Sequence, residues 1–510
     1  MRGEHAMETR RLARPEFLLF AFLFQVGAAA FLTSLAVAAD PAGSELSERL
    51  DAALADRALR GARVSVHVVE EGSGEVLYTR EADRALVPAS NQKILTAVAA
   101  LDAFGPTHRF TTRVIADRAP DASGSVEFLL LQGGGDPALT SEELWRIAAD
   151  LRMVGLRGVR RGILLDDRAF ESAFWHPSWG KVSARAYHAP VGALNVNYGA
   201  FAVSVKAGAG QGDPVEVELD PPVPYLRLVN RAFTGAERSR CSLVVDRRAG
   251  AGDMEVSVSG STPAGGEKKV YFRSVLDPTQ YAGEVFRMQL AANGISVGGD
   301  LRRGVAPESG VVLLEHAGKP LAEVIRLFMK FSNNSIGEGL VKSLSVRSGA
   351  DVGSWEAGIP AFRAQLVLSG VDVAGLELVD GSGLSYDNRV SPRTLVAALL
   401  LASQSFRFGP EFEASLPIAA ADGTLEKRAE GAAYAVRAKT GLLTRVTALS
   451  GYAKRPGGGR AVFSIIVNGF RGDADRAMAA VDAFVTQLVE ENSTALAQPG
   501  NKPPSHPGGG

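Results

Sequence analysis

The chain has 510 residues, 46% of them hydrophobic and 22% charged, with a formal net charge of −1 at pH 7. Such a length can bury several cores and suggests about three domains, while the near-zero charge removes the electrostatic case for a nucleic-acid partner. The single cysteine, Cys241, excludes an internal disulfide and leaves stability to packing.

In chain order, Arg10, Arg11 and Arg14 precede an apolar stretch from Phe17 to Ala39, interrupted chiefly by Gln25, with small Ala36 and Ala38 before Asp40. This is the pattern of an export signal over residues 1–39, with signal peptidase cleaving at its end. The stretch is also long enough for an uncleaved anchor, and without a lipobox cysteine it does not read as a lipoprotein signal. A helix is expected from Glu45 to Leu59. Val64, Val66 and Val68 then begin a hairpin that turns at Glu71-Gly72-Ser73-Gly74.

Ser90-Asn91-Gln92-Lys93 opens a run at helical spacing, Ile94, Leu95, Val98, Leu101 and Phe104, which Gly105-Pro106 stops. Ser90 and Lys93, three apart at a helix start, share one face, so the amine can approach the hydroxyl. A serine hydroxyl needs a base to become a nucleophile, and a lysine is a base only when burial or a nearby cation, for which Lys439 is a candidate, lowers its pKa. Taken alone, the motif reads better as an N-cap serine beside a solvated lysine than as a catalytic pair. A second S-x-x-K, Ser178-Trp179-Gly180-Lys181 after Pro177, has the composition of a turn.

Residues 106–312 read as β-rich segments with many glycines and few long helices, an inserted module within a domain formed by 40–105 and 313–492. Its Gly133-Gly134-Gly135 run lacks the Gly-Lys-Ser/Thr ending of a phosphate loop and is read as a turn. Leu321, Val324, Ile325 and Phe328 form a helical stripe, after which come Ser332-Asn333-Asn334. Further on, Lys439-Thr440-Gly441 is expected on a strand before a hairpin of alternating apolar residues around Pro456-Gly457-Gly458-Gly459. A helix through Ala477, Val481, Phe484 and Leu488 follows, so both ends of the chain can pack on one antiparallel sheet. Residues 493–510, rich in Pro, Gly and Asn, read as a disordered tail.

Competing chemistries are absent from the sequence: there is no G-x-S-x-G elbow and no H-E-x-x-H pair, and no metal or nucleotide cofactor is expected. The order S-x-x-K, S-x-N, K-T-G is that of penicillin-interacting serine enzymes. With Gly133-Gly134-Gly135-Asp136-Pro137, Asp380-Gly381-Ser382-Gly383-Leu384-Ser385, Asn388-Arg389 and Asp422-Gly423-Thr424-Leu425, the chain resembles the class C low-molecular-mass penicillin-binding proteins, the D-alanyl-D-alanine carboxypeptidase/endopeptidase family.

The resemblance implies an α+β fold: a β-lactamase/transpeptidase-like domain, with an antiparallel sheet flanked by helices, carrying a large inserted β-rich module of two small domains. It implies a periplasmic hydrolase, at most peripherally associated with membrane, that trims peptidoglycan stem peptides ending in D-Ala-D-Ala and is covalently inhibited by β-lactam antibiotics such as penicillin. Ser90 would be the nucleophile and Lys93 its base. Ser332 would relay a proton to the leaving D-alanine, Asn334 would bind the substrate amide, and Lys439 with Thr440 would hold the terminal carboxylate. The Ser90 and Leu442 amides would form the oxyanion hole, with Gly441 beside them on the same strand. Asp166, Asp167 and Phe170 resemble a segment that reaches toward the substrate's diamino acid.

Three positions depart from the family pattern: Asn333 where Asp is frequent, Leu442 where Ser or Thr is usual, and Tyr386 where an Arg usually grips the stem peptide. Two alternatives share the serine site, a β-lactamase or esterase and a non-catalytic penicillin-binding scaffold. The first lacks a Glu-x-x-Leu-Asn deacylating segment between the first two motifs. The second has no need of all three motifs.

Overall fold

The computed structural model describes residues 41–490, so the export signal and the tail lie outside the described residues. A five-stranded antiparallel sheet is built from both ends of the chain, in the order Val436–Leu443, Val446–Lys454, Arg460–Asn468, Arg63–Glu70, Val76–Arg80. Side chains alternate across it, and both faces are covered. On the Arg460–Asn468 strand, Val462 and Ile466 face a helical core, while Phe463, Ile465 and Val467 face the first and last helices. Those two helices, Pro41–Leu54 and Ala474–Val489, pack Leu46, Leu50 and Leu54 beside Val481, Phe484 and Leu488. The first helix thus starts and stops earlier than its sequence pattern predicts, and a separate 3-10 turn takes Arg57–Leu59.

On the other face the Gln92–Phe104 helix runs through the centre of the core, buried on every side from Gln92 to Leu101. Around it lie helices Leu321–Lys330, Asn334–Arg347, Trp355–Leu368 and Pro392–Gln404. The expected mixture of antiparallel sheet and flanking helices is borne out.

The chain between these halves leaves along strand Arg109–Ala116 and returns along Val311–Pro320, and the two pair antiparallel as a double-stranded neck. They belong to a six-stranded sheet in which Ser125–Gln132 and Gly158–Asp166 run parallel. Helices Ser141–Met153 and Pro278–Ala292 cover that sheet, and their apolar residues share one core with it. Short sheets of three, two and three strands complete this region.

Candidate active site

Ser90 lies in the Ala89–Asn91 3-10 turn that runs directly into the Gln92–Phe104 helix, which places Lys93 one turn further on. Ala89, just before the serine, has φ 48°, a left-handed conformation that costs a non-glycine residue about 1–3 kcal/mol and persists only where packing enforces it. The enforcing neighbours are visible. A Cβ on Gly441 would come within 2.8 Å of the Pro88 carbonyl, and a Cβ on Gly383 would collide with the Ala89 carbonyl. Two glycines therefore let the K-T-G strand and the 380–388 loop close on the serine turn.

Lys93 is completely buried. Its Nζ lies 3.0 Å from Ser90 Oγ, 2.7 Å from Asn334 Oδ1 and 2.6 Å from the Ser382 carbonyl. Burial lowers its pKa from 10.5 to about 7, against the opposing charges of Asp380 and Glu338. In the neutral form, the amine donates its two hydrogens to Asn334 and Ser382 and keeps its lone pair for the Ser90 hydroxyl. The sequence offered the Lys439 cation as a cause of this shift. The largest cause is desolvation, and the repulsion between the two buried amines is mutual.

Lys439 is equally buried, and desolvation, then the charges of Lys93 and Arg428, hold it well below the ordinary lysine value. Its Nζ donates to Ser332 Oγ at 2.9 Å and to the Thr440 carbonyl at 2.8 Å. Ser332 sits in a tight turn with φ 55° between two helices. Asn333 is the N-cap of the second, its Oδ1 accepting from the Ile336 amide at 3.2 Å, so the middle residue of the triplet has a structural task. Asn334 Nδ2 donates to the Tyr187 carbonyl at 2.9 Å. Lys330, paired with Asp422 at 2.5 Å, anchors the loop whose Thr424 hydroxyl accepts from Thr440 Oγ1 at 2.7 Å.

The 380–388 loop is organised around the buried Asp380 carboxylate. It accepts from the amides of Gly383 and Ser385, from Asn388 Nδ2 and from the Trp179 indole. Glu338, also fully buried, accepts from the Ser382 and Gly381 amides at 2.7 and 3.1 Å and from the Trp355 indole at 2.8 Å. Burial, then the Asp380 charge, raises its pKa to about 7. Sequence reasoning missed Glu338. Its one signal is its position four residues after Asn334, on the same helical face.

These residues border a cleft of about 460 Å³ whose walls include Ser90, Ser332, Asn334, Tyr386, Leu442 and Trp179. Among the described residues the Val436–Leu443 strand is the edge of its sheet, and its outer side faces no further strand. Tyr386 is half-exposed there, its hydroxyl accepting from the Thr444 amide at 3.0 Å. Ser178 and Trp179, from the second S-x-x-K, also line the cleft, in a 3-10 turn as their composition predicts.

Asp166 and Asp167 are placed differently from the expectation that they reach toward substrate. Asp166 pairs with Arg168 at 2.9 Å and accepts from Gln132, beside a separate cavity of about 340 Å³. Asp167 pairs with Arg303 and accepts from Thr279. Neither borders the Ser90 cleft, because both carboxylates are spent at the end of the six-stranded sheet. Phe170 is buried, against Gly135 and Gly353.

The model of the D-Ala-D-Ala carboxypeptidase 3 (S13) family matches residues 46–488. The chain belongs to this family. It is 40% identical over 472 residues to the D-alanyl-D-alanine carboxypeptidase of Actinomadura sp. (strain R39), covering 89% of this chain and 86% of that one. With the D-alanyl-D-alanine carboxypeptidase DacB of Haemophilus influenzae it shares 26% identity over 393 residues, 76% of this chain and 81% of the relative. The crystal structure of penicillin binding protein 4 from the same organism superposes with a TM-score of 0.73 at 24% identity, over 88% of this chain and 98% of that one. That likeness establishes the fold. The family resemblance read from the motifs is borne out.

Proposed function

We propose that this S13-family protein is a serine D-alanyl-D-alanine carboxypeptidase that trims peptidoglycan stem peptides through an acyl-enzyme on Ser90. The observation that carries the reading is Lys93, a buried amine with its pKa near neutrality, 3.0 Å from the Ser90 hydroxyl. As Ser90 Oγ attacks the carbonyl between the last two D-alanines, its proton passes to Lys93. The oxyanion is met by the Ser90 and Leu442 amides. Ser332, held by Lys439, passes a proton to the departing amine, and the C–N bond breaks to leave an ester on Ser90. Lys439 and Thr440 hold the terminal carboxylate, and Asn334 the substrate amide. Water then hydrolyses the ester and restores the serine.

The same steps cleave a cross-link when the departing amine belongs to a second stem, which makes the protein a D,D-endopeptidase as well. With a β-lactam the leaving group stays tethered. Among the described residues no carboxylate lines the cleft, and Glu338 and Asp380 are engaged by N–H donors, which supports a long-lived penicillin adduct over β-lactamase turnover. The proposed place of action is the periplasm, reached through the amino-terminal export signal. No helix among the described residues is long and apolar enough to cross a membrane.

The test is to incubate the purified protein with penicillin and map the modified peptide by mass spectrometry, with Ser90→Ala as control. A stable adduct on Ser90, absent from the variant, is expected. A folded protein that takes up no penicillin would favour the non-catalytic scaffold.

A further inference from the structure

A third, larger cavity of about 660 Å³ abuts the catalytic cleft. One turn forms the wall between them: Phe331 and Asn333 face the groove, while Ser332 and Asn334 face the cleft. A second segment repeats the pattern, with Ala186 on the groove side and Tyr187 on the cleft side, and the Asn334 Nδ2 bond to the Tyr187 carbonyl ties the two ridges together. The two cavities therefore lie on either side of the Ser332 turn.

The lining has a definite chemistry. Phe331 and Phe272 are 69% and 61% exposed, two large apolar rings turned into one groove. Tyr198 joins them from a strained backbone: Asn197 and Tyr198 are both left-handed, with φ 52° and 60°. Asn197 is locked there by bonds to the Ser141 hydroxyl at 2.8 Å and amide at 2.9 Å, so the strain is held in place. Glu142 and Asp220 are the charged residues of the lining, and no lysine or arginine accompanies them. Aromatic faces with uncompensated carboxylates disfavour an anion, and they suit a neutral, hydroxyl-rich ligand with apolar C–H faces.

We propose that this groove binds the amino-sugar chain of the substrate, so that the enzyme prefers stem peptides still attached to glycan over free peptides. The proposal rests on the carboxypeptidase reading of the Ser90 cleft. Rings stack on the pyranose faces, and Glu142 and Asp220 accept from sugar hydroxyls.

The experiment compares kcat/KM for a pentapeptide ending in D-Ala-D-Ala with and without its N-acetylated disaccharide, in the unaltered protein and in Phe272→Ala, Asp220→Asn and the double variant. The disaccharide substrate is expected to be preferred, and the double variant to lose that preference about tenfold, through KM. Penicillin acylation and cleavage of the sugar-free peptide stay unchanged, which also reports that the variants are folded. Equal handling of both substrates by the unaltered protein would overturn the proposal, as would equal losses on both in the variants. A preference that instead follows a free peptide amine would assign the groove to a cation and overturn it too. Failure to cleave either peptide would count against the carboxypeptidase reading itself.

Discussion

Glu338 Oε1 accepts a hydrogen bond from the Ser382 amide at 2.7 Å, while the carbonyl of that same serine accepts one from Lys93 Nζ at 2.6 Å. The backbone of one loop residue thus joins a buried carboxylate to the buried amine beside Ser90. Both Glu338 oxygens accept from N–H groups, three in all. Replacing Glu338 with Gln turns one acceptor into a donor facing donors, at a cost of about 1–3 kcal/mol. We expect a lower Tm by thermal denaturation and slower penicillin acylation in Glu338→Gln, because the Ser382 carbonyl loses its register. Unchanged acylation would show that the loop holds its place without this carboxylate.

Lys93 gives the site its pH dependence. Its pKa is lowered from 10.5 to about 7, so the free amine becomes the major form above pH 7. Acylation by penicillin is expected to rise about tenfold per pH unit below pH 7 and to level off above it. Stability moves in the same direction. Between about pH 7 and 10.5 the unfolded chain holds a proton on this lysine that the folded chain does not, so stability rises with pH across that window. Lys93→Arg should lose both the profile and the acylation, by roughly 10²–10⁴-fold, since a guanidinium stays protonated. Normal acylation by that variant would remove Lys93 from the role of base.

Tyr386 lines the cleft, at a position where the family resemblance implies an arginine. Tyr386→Arg introduces a cation and removes the phenol that caps the Thr444 amide. The expected result is a changed preference among stem peptides, with little change for a minimal D-Ala-D-Ala substrate. Competition between peptides with anionic and amidated diamino acids checks it, and an unchanged ranking would show that this side chain does not set specificity.

Gly383→Ala tests the contact between loop and serine turn. The glycine has φ 78°, and a Cβ there drives into the Ala89 carbonyl. A loss of about 2–4 kcal/mol is expected, with acylation falling further than stability because the displaced residue precedes Ser90. Denaturant unfolding alongside penicillin acylation separates the two effects.

Local spacing made part of the site legible, while Ser332, Asn334 and Lys439, whose partners are distant in sequence, could be read only from the order of the three motifs. Ser90 and Lys93 are one helical turn apart, and the K-T-G strand announces itself by alternation. Glu338 escaped for a physical reason. The Asn334–Arg347 helix is buried on every side from Ser335 to Ser345, polar residues included, so it shows no apolar stripe to mark its faces. The Trp179 indole meets Asp380 across 201 residues of sequence, and no local pattern records such a contact. The separate six-stranded sheet could be sensed from the interval between motifs. Its neck could not, since pairing of Arg109–Ala116 with Val311–Pro320 depends on register alone.

The central sheet also sets an order of events in the life of the chain. The Arg63–Glu70 strand pairs with Arg460–Asn468, so Arg63 finds its neighbour Asn468 only after nearly the whole polypeptide has been made. Until then the serine turn has neither the K-T-G strand beside it nor a completed sheet beneath it. Pairing so distant in sequence is slow to form. A chain secreted from its amino terminus would therefore carry an inert serine throughout its passage, and hydrolytic competence would arrive last, with the final strands.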